Sequence, residues 1–349
     1  MDAQATLKRA RAAVLNEMGS SYVMQEIDVP QPGPDEVLIR LEASGICHSD
    51  LAAHTPSAPE DITPIRPLIG GHEGVGKIVA VGEGVVGRRI GEDVGLAFIA
   101  SNCGSCEACI KGGLTLCPDA TFRGFTVAGT FAEYTISKAA HAIPVPQSIP
   151  PAEACPILCA GLTVYKALKL LSPVAGQWVA VPGAGGGLGH LAVQYAKAFG
   201  LRVVGIDSTS KEGVARSSGA EAFVDFAKSK DVVGDVLKAT DGGAHYSLLC
   251  VAHGGGYTDA LKYARVFGKI ACIGLTPFST HSALLIEKQL TLIGTHVGTP
   301  TDAVEALSFV ERGLVRCRVK AVDFSAENIE ATFDALKKGT VEGRVIMTM

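Results

Sequence analysis

Basic charge is not in excess: 31 Lys and Arg stand against 35 Asp and Glu, a formal net charge of -4. That balance removes the electrostatic basis for a nucleic-acid or anionic-membrane partner. The opening stretch MDAQATLKRARAAVLNEMG lacks an apolar core long enough for a secretory signal. Asp2, Glu17 and the scarcity of serine there count against a mitochondrial transit segment. The uncharged run between Lys169 and Lys197 is long enough for a membrane span. It nevertheless holds Pro173, Pro182, six glycines and His190, so it reads as a strand, a glycine-rich turn and a buried helix. No internal repeat and no low-complexity segment is visible. These absences lead to the expectation of a cytoplasmic protein without a membrane partner.

What is present fits a folded globular chain. A chain of 349 residues suggests two domains, and 47% hydrophobic with 19% charged residues suits a well-packed globule rather than disorder. Forty-one glycines predict many tight turns or a glycine-rich ligand loop. Ten cysteines in a cytoplasmic chain point to metal or catalytic thiols before disulfides.

The first third carries short β-like runs (EVLIRLEASGI, GKIVAVGEGV, FAEYTIS) broken by Gly and Pro, which predicts a mainly antiparallel, barrel-like domain. Pro150 and Pro151 mark a boundary, after which PPAEACPILCAGLTVYKALKLL turns to helical period. From Gln177 the pattern alternates between strands (WVAVPG, RVVGID, EAFVDF) and helices (LGHLAVQYAKAFG, KEGVARSSG). Later strands are expected at YSLLCVA, GKIACIG and LTLIGTHVG. Such alternation implies α/β architecture with a parallel, doubly wound, Rossmann-type sheet. The tail ENIEATFDALKKGTVEGRVIMTM reads as one amphipathic helix and a final strand.

Four clusters of residues carry chemistry. In CGSCEACIKGGLTLC, Cys103, Cys106, Cys109 and Cys117 follow C-x2-C-x2-C-x7-C, and four close thiolates can wrap one structural zinc with no open position. The competing readings are an iron–sulfur cluster, which Pro118 after the last cysteine recommends and the spacing does not, and unligated core cysteines. Second, Cys47, His72 (in GGHEGVG) and Cys159 (in PILCAGL) form a catalytic zinc set if they converge. Spacing alone does not bring them together, and the alternative is a buried cysteine with a turn histidine. Third, WVAVPGAGGGLGHLAVQYA is a strand, a glycine loop (Gly183, Gly185, Gly186, Gly187, Leu188, Gly189) and a helix suited to a pyrophosphate. The strict G-x-G-x-x-G register fails by one residue. Asp207 ends the next strand, where a carboxylate accepts both ribose hydroxyls of NAD and repels a 2′-phosphate. Lys211 either bonds the same ribose or is a solvated lysine at a helix start. Fourth, Ser49 lies two positions after Cys47. If Cys47 holds zinc, its hydroxyl can take the proton of an alcohol; otherwise it is a turn or cap residue.

These motifs resemble those of the zinc-dependent medium-chain alcohol dehydrogenases, most closely the yeast and fungal class, over essentially the whole chain. The segments that carry the likeness are GICHSD, GGHEGVG, the four-cysteine loop, PILCAGLTVYKALK, GGLGHLAVQYAKA, VVGID and VLKATDGGAH, in matching order and spacing. The resemblance implies a GroES-like catalytic domain from both chain ends (1–158 and 296–349) around a Rossmann domain (159–295). It implies two zincs per chain and NAD(H): Cys47, His72 and Cys159 on the catalytic zinc, with Glu73 beside it and able to approach the metal. It places His48 and Arg344 at the cofactor pyrophosphate, Thr163 against the nicotinamide, Ser49 at the head of a proton relay and Phe98 on the pocket wall. Asp50 reads as structural, holding the loop or a neighbour of the metal. A homo-oligomer is expected, a tetramer or a dimer, with LTLIGTHVG where subunit sheets pair. The substrate is then a small alcohol, aldehyde or ketone.

Two departures stand out. Where yeast-type enzymes place a relay histidine five residues after the first zinc cysteine, this chain has Ala52, and the nearest histidine is His54. His54 taking over from a shifted loop, water, and slow proton release are the three routes left open. The loop HTPSAPEDITPIRPLI is about two residues longer than in ethanol-oxidising relatives and lacks the tryptophan that narrows their pocket. It favours substrates larger than ethanol. Other chemistries on this scaffold are a polyol dehydrogenase, which usually carries glutamate at the position of Cys159, a biosynthetic aldehyde reductase, and a zinc-free double-bond reductase, which lacks the three-ligand set. A non-enzymatic binding protein is opposed by the joint presence of Cys47, His72, Cys159, Ser49 and Thr163.

Overall fold

The computed structural model describes residues 9–55 and 64–349. Half of the lengthened loop read from the sequence, residues 56–63, lies outside the described residues. The chain divides into two compact units. The first takes in the chain through Cys159 together with Thr299–Leu307 and Val319–Met349; the second comprises Ala160–Gly298 and Ser308–Arg318. Residues 296–298 and 308–318, expected with the catalytic part, thus cluster with the second unit, and Cys159 clusters with the first.

The first unit is built on a seven-stranded sheet. Its spine is the strand Glu36–Ile46, in which Val37, Ile39, Leu41 and Ala43 are all buried. Their alternation with Arg40 and Glu42 gives the period of two that a half-buried strand needs. One edge of this strand pairs antiparallel with Gly74–Val81. The other pairs first with Tyr134–Lys138 and then, from Ala43 to Ile46, with Arg344–Thr348. Arg344–Thr348 also runs parallel to Val319–Asp323, so the end of the sequence supplies an interior strand of a sheet begun by its first fifty residues. Ile78, Val94 and Leu96 pack against Val37, Ile39 and Leu41 to form the core. A three-stranded sheet (Val23–Asp28, Arg9–Leu15, Leu68–Ile69) and a ribbon of Ile99–Ser101 with Thr121–Phe122 complete the unit.

The second unit is a six-stranded sheet, every neighbouring pair parallel. In space its strands run Ala222–Asp225, Arg202–Asp207, Trp178–Pro182, Ala244–Leu249, Ala264–Cys272, Thr291–Gly294. The order reverses after Trp178–Pro182, which is the doubly wound topology that leaves a crevice at the carboxyl ends of the strands. Trp178–Pro182 is buried at every residue, as a central parallel strand covered on both faces must be. Thr291–Gly294 is an edge strand, shorter than the LTLIGTHVG run, because Thr295 onward leaves the ladder. Of the described residues, no single helix is long and apolar enough to cross a membrane. The bent pair Pro151–Leu158 and Ala160–Leu171 reaches that length and composition together, but Leu158, Leu162, Val164 and Leu168 are fully buried core.

Candidate active site and metal centres

The strand Glu36–Ile46 delivers Cys47 to the start of the helix His48–His54. Three residues into that turn, Asp50 reaches back, and its Oδ2 accepts the Cys47 backbone N–H at 2.8 Å. An acidic residue at this position satisfies one of the donors left bare at a helix start. The other oxygen of Asp50 does more. Its Oδ1 lies 2.9 Å from His72 Nδ1 and accepts the Gly71 N–H at 3.2 Å. Gly71 sits at φ +86°, where a side chain would also run into Phe131, so only glycine bends the chain to present His72 here. With Nδ1–H donated to a carboxylate, the His72 ring is fixed and its Nε2 is left as the coordinating atom.

That Nε2 points at Cys159 Sγ, 3.3 Å away, and Cys159 Sγ lies 3.9 Å from Cys47 Sγ. Cys159 itself is held between the turn Cys155–Leu158 and the helix Ala160–Leu171. The candidate ligand atoms of Cys47, His72, Glu73 and Cys159 all lie within 4.8 Å of one another, and all four residues are buried. Two sulfurs on one tetrahedral zinc at about 2.3 Å each stand about 3.8 Å apart, so the spacing fits a zinc ion. The electrostatics favour one thiolate of the pair, at Cys47, while the bond from Cys47 and then burial hold the Cys159 thiol well above its usual range. Cys159 hydrogen-bonds Cys47 and brings its thiol well below the usual range, with Arg344 and His72 adding to the effect. The Asp50 carboxylate raises His72 against the opposing effect of burial. Burial pushes Glu73 up to about 7, although Arg344 pulls the other way.

Glu73 Oε1 accepts a hydrogen bond from Arg344 Nη2 and lies 3.9 Å from His72 Nε2. Its Oε2 has no hydrogen-bond partner among the described residues. Arg344, expected at a cofactor pyrophosphate, is here 5% exposed and ion-paired with Glu73. His48 is exposed and Ser49 half-buried, with Ser49 Oγ 3.9 Å from Cys47 Sγ. Phe98 meets the His72 ring edge-on at 5.5 Å and is itself held by Phe122 and Phe125. It therefore walls the same space.

His54 corrects an expectation. A surface position does not describe it: the side chain is buried, stacked on Tyr22 at 6.2 Å and packed on Phe333 at 5.4 Å. Its Nε2 lies 3.8 Å from Glu330 Oε1. Five residues along a helix from Ser49, it sits well round the helix from that hydroxyl and ties its helix to Ala326–Lys337.

The four-cysteine loop also closes on one point. Cys103, Cys106, Cys109 and Cys117 offer sulfurs within 4.8 Å of one another, with Cys103 and Cys117 3.6 Å apart. The short helix Glu107–Ile110 and the 3-10 turn Leu114–Leu116 curl the chain back so that they meet. Backbone N–H groups of Cys106 and Cys103 donate to Cys103 Sγ and Cys117 Sγ at 3.3 and 3.4 Å. Such donors favour thiolates, and those of Ser105 and Cys106 bring Cys103 down to about 6. A separation of 3.6 Å suits sulfurs sharing one ion, whereas a cluster spreads its cysteines over several irons. Asn102 adds a donor of its own, Nδ2 to Cys109 Sγ at 3.4 Å, that the spacing argument did not single out.

In the second unit, Gly183 turns out of the strand at φ +77° and hydrogen-bonds Ile206 O, while Gly186 N–H donates to Gly183 O at 2.9 Å. Gly187 and Leu188 lead into the helix Gly189–Ala198. A Cβ on Gly189 would overlap Gly183 O, the tight strand–helix approach that this loop requires. Asp207 Oδ2 accepts the Gly185 N–H at 2.9 Å, so the acidic residue lies against the glycine loop. The Lys211 stem lies against Gly185, and Thr163 is half-buried on Ala160–Leu171.

Comparison with known proteins agrees with this geometry. The family model described as alcohol dehydrogenase GroES-like domain matches residues 33–147, and that described as zinc-binding dehydrogenase matches residues 187–312. An alcohol dehydrogenase of Schizosaccharomyces pombe is 41% identical over 344 residues, 97% of this chain and 97% of that protein. The alcohol dehydrogenase of the hyperthermophilic archaeon Aeropyrum pernix has a TM-score of 0.89 at 28% identity, over 97% of this chain and 100% of that one. An acetophenone reductase from Geotrichum candidum, solved with NAD, has a TM-score of 0.84 at 27% identity, over 98% of each chain. The chain belongs to the zinc-dependent medium-chain alcohol dehydrogenases, of fungal type.

Proposed function

We propose that this chain interconverts alcohols larger than ethanol with their aldehydes or ketones, using NAD(H), at the point where Cys47, His72 and Cys159 converge. The observation that carries the reading is the buried ligand set with His72 locked by Asp50. When bound, zinc supplies a Lewis acid that lowers the pKa of an alcohol, and NAD supplies the hydride acceptor. The chain's own residues do the rest. Cys47, His72 and Cys159 hold the metal and leave one position for substrate oxygen, Glu73 stands ready beside them, and Asp50 keeps His72 in the coordinating tautomer. Ser49 Oγ takes the alcohol proton. Phe98 positions the substrate carbon and helps exclude water. Gly183, Gly185, Gly186, Gly187, Leu188 and Gly189 cradle the pyrophosphate, with His48 and Arg344 contributing to it on the strength of their motifs. Thr163 packs on the nicotinamide. Asp207 accepts the ribose hydroxyls, Lys211 assists, and the carboxylate favours NAD over NADP.

Cys103, Cys106, Cys109 and Cys117 hold the structural zinc. Metal analysis tests both assignments. Two zincs per chain are expected, one after Cys47→Ser with activity lost, and activity without zinc overturns the reading. Substrate size rests on the sequence of residues 54–69, and a panel of alcohols and aldehydes with NAD(H) and NADP(H) decides it. Medium or branched substrates should show the higher kcat/KM; ethanol turnover as good or better defeats that part. A homotetramer is supported by the edge position of Thr291–Gly294, whose outer side is free of strands among the described residues. Light scattering should give four times the 36.1 kDa chain mass. A cytoplasmic location is supported by ten cysteines of which none forms a disulfide.

A further inference from the structure

A second polar site lies in the first unit, away from the metal ligands. Between the ribbon Ile99–Ser101/Thr121–Phe122 and the strand Tyr134–Lys138 is a cavity of about 400 Å³. Its polar lining includes Ser101, Thr121, Arg123 and Ser137. Arg123 is 1% exposed. Its Nη1 donates to Ile136 O at 3.0 Å and its Nη2 to Ser137 Oγ at 3.1 Å, both uncharged acceptors from the cavity wall. Its Nε has no hydrogen-bond partner, and no carboxylate oxygen comes within 4.0 Å of the guanidinium, among the described residues.

A buried charge without a counter-charge is costly, because the protein interior replaces water poorly. The imbalance registers on a neighbour. Buried His141 is held down at about 4, first by its own desolvation and then by the charge of Arg123. Two carboxylates line the cavity, and each already faces a cation: Glu36 lies 3.0 Å from Lys138, and Asp28 lies 3.5 Å from Arg9. Each of these pairs balances its own charge and leaves that of Arg123 uncompensated. Ser101 Oγ and Thr121 Oγ1 bond each other at 2.6 Å. That bond uses one hydroxyl proton and leaves the second for a guest.

We propose that this cavity binds a small oxyanion of the carboxylate or phosphate type, with Arg123 as its counter-charge and the Ser101–Thr121 pair as its hydroxyl donor. A planar guanidinium fork is the side chain best matched to such oxyanions. The site is independent of the alcohol chemistry, since none of the metal-ligand candidates lines it.

The test is calorimetric titration of zinc-loaded enzyme saturated with NADH, so that the nucleotide site is already filled. Inorganic phosphate and malonate are titrated separately against a chloride control at constant ionic strength. Saturable one-site binding is expected, at least roughly tenfold weaker in Arg123→Met, with a matching loss of the anion's effect on Tm. Tighter phosphate identifies a phosphate-type guest and tighter malonate a carboxylate. Binding that survives Arg123→Met unchanged belongs elsewhere and overturns the proposal, as does the absence of saturable binding in the parent enzyme. If Arg123→Met does not fold, Thr121→Val removes one hydroxyl at constant shape. It should weaken binding at least about threefold; unchanged affinity refutes the site.

Discussion

At the residue scale, Asp50 joins three things at once: the first turn of a helix, the bend at Gly71 and the His72 ring. Asp50→Asn keeps the shape but loses the charge that fixes the ring. Zinc affinity and kcat/KM should each fall by about 10- to 100-fold, measured by chelator competition and steady-state kinetics. Ser49→Ala should nearly abolish alcohol oxidation, whereas His54→Ala should change it by less than roughly tenfold while lowering stability by about 2 kcal/mol through lost packing on Tyr22 and Phe333. A large kinetic effect at His54 would return it to the relay. The four-cysteine loop was legible because four cysteines in fifteen residues are rare by chance, whereas Cys47, His72 and Cys159 lie far apart in sequence and were legible only through the family resemblance. The packing of His54 was not, since Tyr22, Glu330 and Phe333 lie far from it in sequence and no local pattern announces them.

His141 gives the residue scale its pH dependence. Burial keeps its imidazole neutral in the folded chain down to about 4, with Nε2 3.0 Å from Asn102 Oδ1. The unfolded chain takes up that proton near the ordinary histidine value of about 6.5. Between these values the unfolded state binds more protons, so stability from this group is present above 6.5 and lost as pH falls toward 4. Going from pH 7 to pH 5 should cost the parent about 2 kcal/mol that His141→Gln does not lose. Denaturant titrations of both proteins at the two pH values read the difference directly.

At the scale of elements, the glycine loop shows where pattern reading works and where it stops. A strand, a loop and a helix were evident from WVAVPGAGGGLGHLAVQYA, and the alternation after it revealed the parallel sheet. The register of the loop was not evident, because the motif is off by one residue. What restores it is geometry, with Gly183 at positive φ and Gly189 pressed against Gly183 O. Gly189→Ala should therefore weaken NADH binding by at least about tenfold and leave the zinc content at two per chain. Fluorescence titration with NADH and metal analysis on the same sample separate the two effects. Short strands such as Leu68–Ile69 and Thr121–Phe122 escaped the sequence pattern; two residues are too few to display a period.

On the scale of the whole molecule, residues 308–318 cluster with the second unit although they lie between two stretches of the first. Gln194 holds this segment, accepting from Arg316 N–H at 2.8 Å and donating to Arg316 O at 2.9 Å. Pairings of that kind join positions 122 apart in sequence, which is why the domain boundary could not be drawn from composition. The interior strand Arg344–Thr348 has a larger consequence. A ribosome working at roughly 5–20 residues per second reaches it about 15 to 60 seconds after it has made Ala43–Ile46, the segment it must pair with. During that interval the nucleotide-binding sheet can complete itself, but the catalytic sheet carries an open edge and Glu73 has no Arg344 to meet. Exposed strand edges recruit other chains. The nascent protein should thus be most prone to pairing with other chains while Cys47 and Glu73 already exist and the strand that brings Arg344 to Glu73 does not.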